Sequence, residues 1–187
     1  GAKIKKIKLF KPEYAIAVYT ILQRAEVSSN LARYDGIRYG GRRNQFGEEA
    51  KRRIMLGTYV LSAGYYDQYY NKAQKVRTVI VEDFNRAFKE VDIIIAPTNP
   101  TTALPLGVSK DNPMFGELAD VLVEPSSIAG LPGINVPCGF SPSTSSGQAG
   151  LPVGFQVIGP QFSESLILNV AHQYQINTDW RKEKPKL

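Results

Sequence analysis

Six residues, Val91-Asp-Ile-Ile-Ile-Ala96, constrain this chain more than any other stretch. They are apolar and mostly β-branched, Pro97 stops them, and a long helical pattern precedes them. Six residues are too few for a packed helix. An apolar run without alternation suits a strand buried on both faces. Such a strand needs a layer on each side, and the helical segments are the only candidates.

Those segments are readable by period. Pro12 suits the first turn of a helix from Glu13 to about Arg33, with Ala15, Val18, Leu22, Ala25 and Ser29 on one face. Gly36 and Gly40-Gly41 end it. From Gly47 to about Glu90 the pattern is helical again, too long for one plain helix, with a break expected at Ser62-Ala63-Gly64. Its first piece places Ala50, Gly57, Val60 and Gly64 on one face; its second places Tyr66, Tyr69, Ala73, Val76, Ile80, Phe84 and Phe88 on another. The tyrosines read as packing residues. Gly133–Cys138 and Val153–Ile158 read as further strands around a Ser/Gly-rich loop, and Ser163 as the cap of a last helix carrying Leu166, Ile167, Val170, Ala171 and Tyr174 inward. Lys3–Leu9 alternates basic and apolar residues, as an edge strand does, and Met114–Val123 suits a short helix. The class is α/β, a mixed β-sheet covered by helices, in one domain over 1–187.

Bulk properties exclude several functions. No run of eighteen apolar residues is present, and no charged-then-apolar leader is visible, so a cytoplasmic protein is expected. The chain begins without methionine and reads as a piece that starts in mid-protein. One cysteine and one histidine argue against a disulfide and against a Cys/His metal site. The net charge is +6, and the basic residues cluster at Lys3–Lys11, Arg33–Arg53 and Arg181–Lys186. A solvated basic surface is the plain reading, and RNA binding the alternative.

The catalytic candidates are sparse. His172 is the sole histidine and reads as a surface residue of the last helix; Cys138 lies in an apolar strand and reads as a buried structural thiol. Ser126 and Ser127 sit in EPSSIAGLPGINVPCGF, but no base stands near them except Glu124. Arg53 is the misplaced polar residue. It shares the small-residue face of Ala50, Gly57 and Val60, where a guanidinium must meet a carboxylate, from the protein or from a ligand. Asp120, just before Val121-Leu122-Val123, is its acidic counterpart. One arginine and one aspartate together suit an α-amino acid, whose carboxylate and ammonium need opposite partners.

Five blocks, AEVSSNLARYDGIRYG (25–40), FGEEAKRRIMLGTYVLSAGYYDQYYNKAQKVRT (46–78), VDIIIAPTNPTTA (91–103), IAGLPGINVPCG (128–139) and LPVGFQVIG (151–159), resemble the C-terminal half of amidase-signature enzymes. The first two resemble the A subunits of glutamyl-tRNA(Gln)/aspartyl-tRNA(Asn) amidotransferases in particular. The resemblance implies a polypeptide that hydrolyses glutamine and passes ammonia to a partner, the B subunit. That partner uses ATP and Mg to amidate a misacylated Glu-tRNA or Asp-tRNA and holds most of the tRNA; the C subunit completes the assembly. The resemblance also implies that this chain binds no metal or cofactor itself. The family's Ser-cisSer-Lys triad belongs to an N-terminal half that is not in this chain, and Ser126 and Ser127 do not match it. No catalytic residue is therefore expected here, and the chain alone is expected to be inactive. Three substrate-binding residues are implied: Tyr19; Arg53, with Arg52 the one-residue alternative, for the α-carboxylate; and Asp120 for the amino group. The connection from Gly40 to Gly47 is some twenty residues shorter than the family pattern. A general amidase acting on another amide, and a non-catalytic basic tRNA-binding module using Arg42, Arg43 and the C-terminal lysines, are the alternatives.

Overall fold

The computed structural model describes residues 1–107, 118–142 and 150–184. They form two compact units, one of residues 1–16 and 80–187, the other of residues 17–79. In chain order the main elements are α1 (Glu13–Leu31), α2 (Glu48–Val60), α3 (Lys72–Ala87), β1 (Ile94–Pro97), α4 (Glu124–Ala129), β2 (Gly133–Phe140), β3 (Pro152–Ile158) and α5 (Glu164–Ile176).

In the 17–79 unit, α1 and α2 pack where small residues permit it. Gly57 is buried on α2, and a Cβ there would lie 1.8 Å from the Arg24 carbonyl oxygen of α1. Of the small-residue face expected of the 47–64 segment, Gly57 thus meets α1, while Gly64 is exposed. On α1 the inward position one turn beyond Leu22 and Ala25 is Ser28 rather than Ser29. Its hydroxyl meets that of Thr58 at 2.7 Å across the seam. The short connection between the helices is stitched by Arg43, which donates to the carbonyls of Ala32 (2.8 Å) and Tyr34 (2.7 Å) just beyond the C-terminus of α1. A cation there also answers the helix dipole. Tyr34 stacks obliquely on Phe46, with centroids 5.3 Å apart.

The break after α2 falls where expected, with Gly64 at φ 85°, and a π-helical turn, Tyr66–Asn71, leads into α3. The tyrosines there pack on one another rather than inward: Tyr59 and Tyr65 centroids lie 4.2 Å apart, Tyr66 and Tyr70 5.1 Å apart, and Tyr59, Tyr65 and Tyr66 are exposed. The extra residue per turn of a π segment rotates the face set by Ala73, Ile80 and Phe84 away from them.

The other unit is built on a three-stranded sheet of order β1-β3-β2, antiparallel throughout, with a bulge at Pro137/Gly139. Ile134 pairs with Val157 and Val136 with Phe155, so these four share one face. Buried Ile167 and Ala171 of α5 cover it, and Tyr174 meets Phe155 edge to face at 4.9 Å. Ser163 does stand at the N-cap of α5, yet its hydroxyl donates back to the Pro160 carbonyl at 2.6 Å rather than capping the helix.

Two strand expectations change. β1 is buried at Ile94 but 59% exposed at Ile95, on the same face as Val157, because among the described residues β1 is an edge strand. Residues 3–9 form no strand. The segment runs unpaired and is tied to the end of α3, with the Phe10 amide on Asp83 (2.8 Å), Phe10 edge-on to Phe84 and Lys5 paired with Glu90. Of the expected Met114–Val123 helix, 114–117 lie outside the described residues, 118–119 are helical and 120–123 turn into α4. No helix among the described residues is long and apolar enough to cross a membrane.

Candidate functional site

Tyr19 on α1 and Arg53 on α2 come close enough for the phenol to help push the Arg53 guanidinium further above its already high range. The helix seam explains why. Arg53, Gly57 and Val60 recur at spacings of four and three, so the side chain of Arg53 rises from the face that contacts α1. Close approach at Gly57 brings the two helices within reach of a single side chain one turn earlier.

Glu49 completes the cluster, and the sequence pattern did not single it out. Its Oε1 accepts from Arg53 Nε at 2.6 Å and from Arg52 Nη2 at 2.8 Å, while its Oε2 accepts from Arg52 Nε at 2.8 Å. The signal was present as Glu49, Arg52 and Arg53 at i, i+3 and i+4, with the acid N-terminal to the bases, the favourable order on a helix. The hydrogen bonds from Arg52, then from Arg53, hold the Glu49 carboxyl down at about 2. The Glu49 contact, then that of Tyr19, pushes the Arg53 guanidinium further above its already high range. One carboxylate between two guanidinium groups leaves a surplus positive charge at this point of α2.

The surplus extends to the whole unit. Residues 17–79 hold eleven Lys and Arg against five Asp and Glu, so the entire formal charge of +6 resides there, and the other unit is balanced. Arg43 is engaged by carbonyls at the end of α1.

Asp120 belongs to the other unit. It is exposed in the turn before α4, where its carbonyl accepts from the Val123 and Glu124 amides at 3.0 Å each. Ser126 and Ser127 lie on α4 and aim their hydroxyls back at the Val123 carbonyl, at 2.9 and 3.4 Å. Both serve the local fold. Gly130, at φ 68°, ends the helix, and Leu131 N–H reaches the Ser126 carbonyl at 3.0 Å. The stretch is a helix stop that launches β2.

Cys138 is half-buried, with its Sγ 3.5 Å from the Val153 carbonyl, and His172 is exposed on α5. A hollow of about 660 Å³ beside β2 and β3 is lined by Thr98, Asn99, Asn135, Cys138 and Ser141 among others. It gathers amide, hydroxyl and thiol groups, with no Asp, Glu, His, Lys or Arg among the lining residues.

A protein-family model described as Amidase matches residues 1–168. Curated relatives named as the A subunit of glutamyl-tRNA(Gln) amidotransferase are similar along the whole chain. The protein of Roseiflexus sp. strain RS-1 is 47% identical over 201 aligned positions, which take in 100% of this chain and 40% of that protein. That of Microcystis aeruginosa strain NIES-843 is 48% identical over 199, covering 99% and 40%. The crystal structure of the like-named protein from Thermotoga maritima matches with a TM-score of 0.69 at 40% identity, over 96% of this chain and 36% of that one. The chain thus spans about two fifths of the length of the curated relatives it matches. An alignment of 201 positions against 187 residues means that the Roseiflexus protein carries residues within the matched region that this chain lacks, the direction expected from the short Gly40–Gly47 connection.

Proposed function

The chain belongs to the Amidase family, and from that premise we propose that it is the substrate-holding portion of the A subunit of a glutamyl-tRNA(Gln) amidotransferase. In this reading the A subunit hydrolyses glutamine to supply ammonia. The partner B subunit, with its own ATP and Mg, amidates the misacylated tRNA, and the C subunit is a further partner. The residues of this chain bind and orient glutamine; the Ser-cisSer-Lys chemistry belongs to the family's N-terminal portion.

The observation that carries the proposal is the Arg53 guanidinium held beside Tyr19. A guanidinium fork presents two parallel N–H groups that match a carboxylate. Tyr19, beside Arg53, has an O–H to donate to the same ligand. The resemblance gives the ligand ammonium to Asp120, which belongs to the other unit. Arg53 with Tyr19 discriminates an amino acid from a simple amide, which lacks the α-carboxylate.

Two measurements test this. Incubated with glutamine, the 187-residue chain is expected to release no glutamate; serine-dependent hydrolysis by it would refute the division of labour. In binding titrations, Arg53→Met and Asp120→Asn are each expected to weaken L-glutamine about tenfold or more, since a charge-assisted hydrogen bond contributes about 1.5–3 kcal/mol. Unchanged affinity in Arg53→Met would overturn the proposal.

A further inference from the structure

We propose that Glu49 is a positioning residue: it orients Arg53 and, by engaging Arg52, decides which of two adjacent arginines receives the ligand carboxylate. The inference rests on the amino-acid-binding reading above and goes beyond it, because nothing in that reading requires Glu49.

Donor geometry separates the two arginines. Arg52 meets Glu49 side-on through two nitrogens, Nε to Oε2 and Nη2 to Oε1, both at 2.8 Å. This bidentate fork uses the edge of Arg52 best suited to a carboxylate. Arg53 meets the same carboxylate at Nε, at 2.6 Å. A guanidinium fixed at Nε turns its terminal nitrogens away from the anchor, and Tyr19 braces it from α1. Arg53 is also the more sheltered of the two, with its side chain 26% exposed against 38% for Arg52. One anion shared by two cations leaves capacity for one more carboxylate, and the geometry assigns that capacity to Arg53.

The sign of a substitution separates positioning from plain charge. Glu49 is an anion beside an anion-binding group, so if it acted only through its charge, Glu49→Gln would tighten carboxylate binding. As a positioning residue it has the opposite effect: the freed Arg53 side chain must be ordered by the ligand at the moment of binding.

The experiment titrates L-glutamine into the full chain and into its Glu49→Gln, Glu49→Asp and Arg53→Lys forms, following the backbone and arginine Nε–H resonances by NMR. Glu48→Gln is the control. It removes the same charge from the same helical turn, where Glu48 pairs with Lys51 rather than with Arg53. Expected are a slowly exchanging Arg53 Nε–H in the free protein, lost in Glu49→Gln, and a Kd raised about tenfold by Glu49→Gln and Glu49→Asp but within about twofold of wild type in Glu48→Gln. Arg53→Lys has no Nε–H to anchor, so in that background Glu49→Gln is expected to add no further loss. Unchanged or tighter binding in Glu49→Gln, beside a wild type that binds, would overturn the positioning role alone. A wild type that does not bind L-glutamine would overturn the amino-acid reading and this inference with it, even with the Arg53 Nε–H protected.

Discussion

Gly57→Ala sets two well-known tendencies against each other, which makes it a severe test of the helix seam beneath Arg53. In an exposed helix the change stabilises by about 1 kcal/mol, because alanine loses less backbone freedom than glycine. Here the new Cβ would lie 1.8 Å from the Arg24 carbonyl oxygen, 2.5 Å from its carbon and 2.7 Å from Ser28 Cβ. The first two obstacles are backbone, so no rotamer change relieves them. Restoring ordinary contact requires α1 and α2 to part by more than about 1 Å, which forfeits a quarter to a half of the dispersion energy along the seam. Overpacking of this kind costs about 1–3 kcal/mol, and the rigid obstacle places it at the upper end. Net of propensity, a loss of about 2 kcal/mol is expected, or roughly 4–8 °C in Tm for a chain of this size. Urea and thermal unfolding measure it. The approach of Tyr19 to Arg53 crosses the same seam, so weaker L-glutamine binding should accompany the loss. A Gly57→Ala protein as stable as wild type, or more so, would refute the seam and with it the reason Tyr19 reaches Arg53.

The pH behaviour of Glu49 follows from its depressed titration. Its carboxyl is held at about 2 against an ordinary 4.5, so the stabilisation it brings is fully present above 4.5 and is lost as pH falls toward 2. A carboxyl-carbon NMR titration should show Glu49 with its midpoint near 2, and Arg52→Gln should raise that midpoint; a midpoint near 4.5 in the wild type would refute the shared clamp. In the sheet unit, the buried Gln156 donates its amide to the carbonyls of Pro97 (3.0 Å) and Leu122 (2.7 Å), tying β1 to the turn that carries Asp120. Gln156→Leu removes both bonds and should cost about 2 kcal/mol in urea unfolding, at about 1 kcal/mol per bond.

Much of the architecture was legible because it is periodic. The 3.6-residue repeat of Ala15, Val18, Leu22 and Ala25 marks α1, and Gly64 marks the break after α2, since a backbone conformation that only glycine adopts cheaply leaves a sequence trace. The β2 and β3 strands were legible from their β-branched and apolar runs. Lys3–Leu9 misled because alternation shows that a segment could pair, not that a partner lies beside it. The tyrosines of 65–70 misled because a π-helical turn shifts the face, and no residue type announces such a turn. At the site, Arg53 stood out against the small residues of its face, and the resemblance supplied Tyr19. Glu49 did not stand out, because an acid in the first turn of a helix is also what the dipole alone would favour. Only distances separate that role from a clamp on two arginines.

Whether Arg53 receives the carboxylate of a free amino acid is decided by titrating wild type and Arg53→Met with L-glutamine and with 4-aminobutanamide, which is glutamine without its α-carboxylate. Wild type should prefer L-glutamine by about tenfold or more, and Arg53→Met should bind the two alike. A wild type that makes no distinction, or a preference that survives the loss of the guanidinium, would contradict the account.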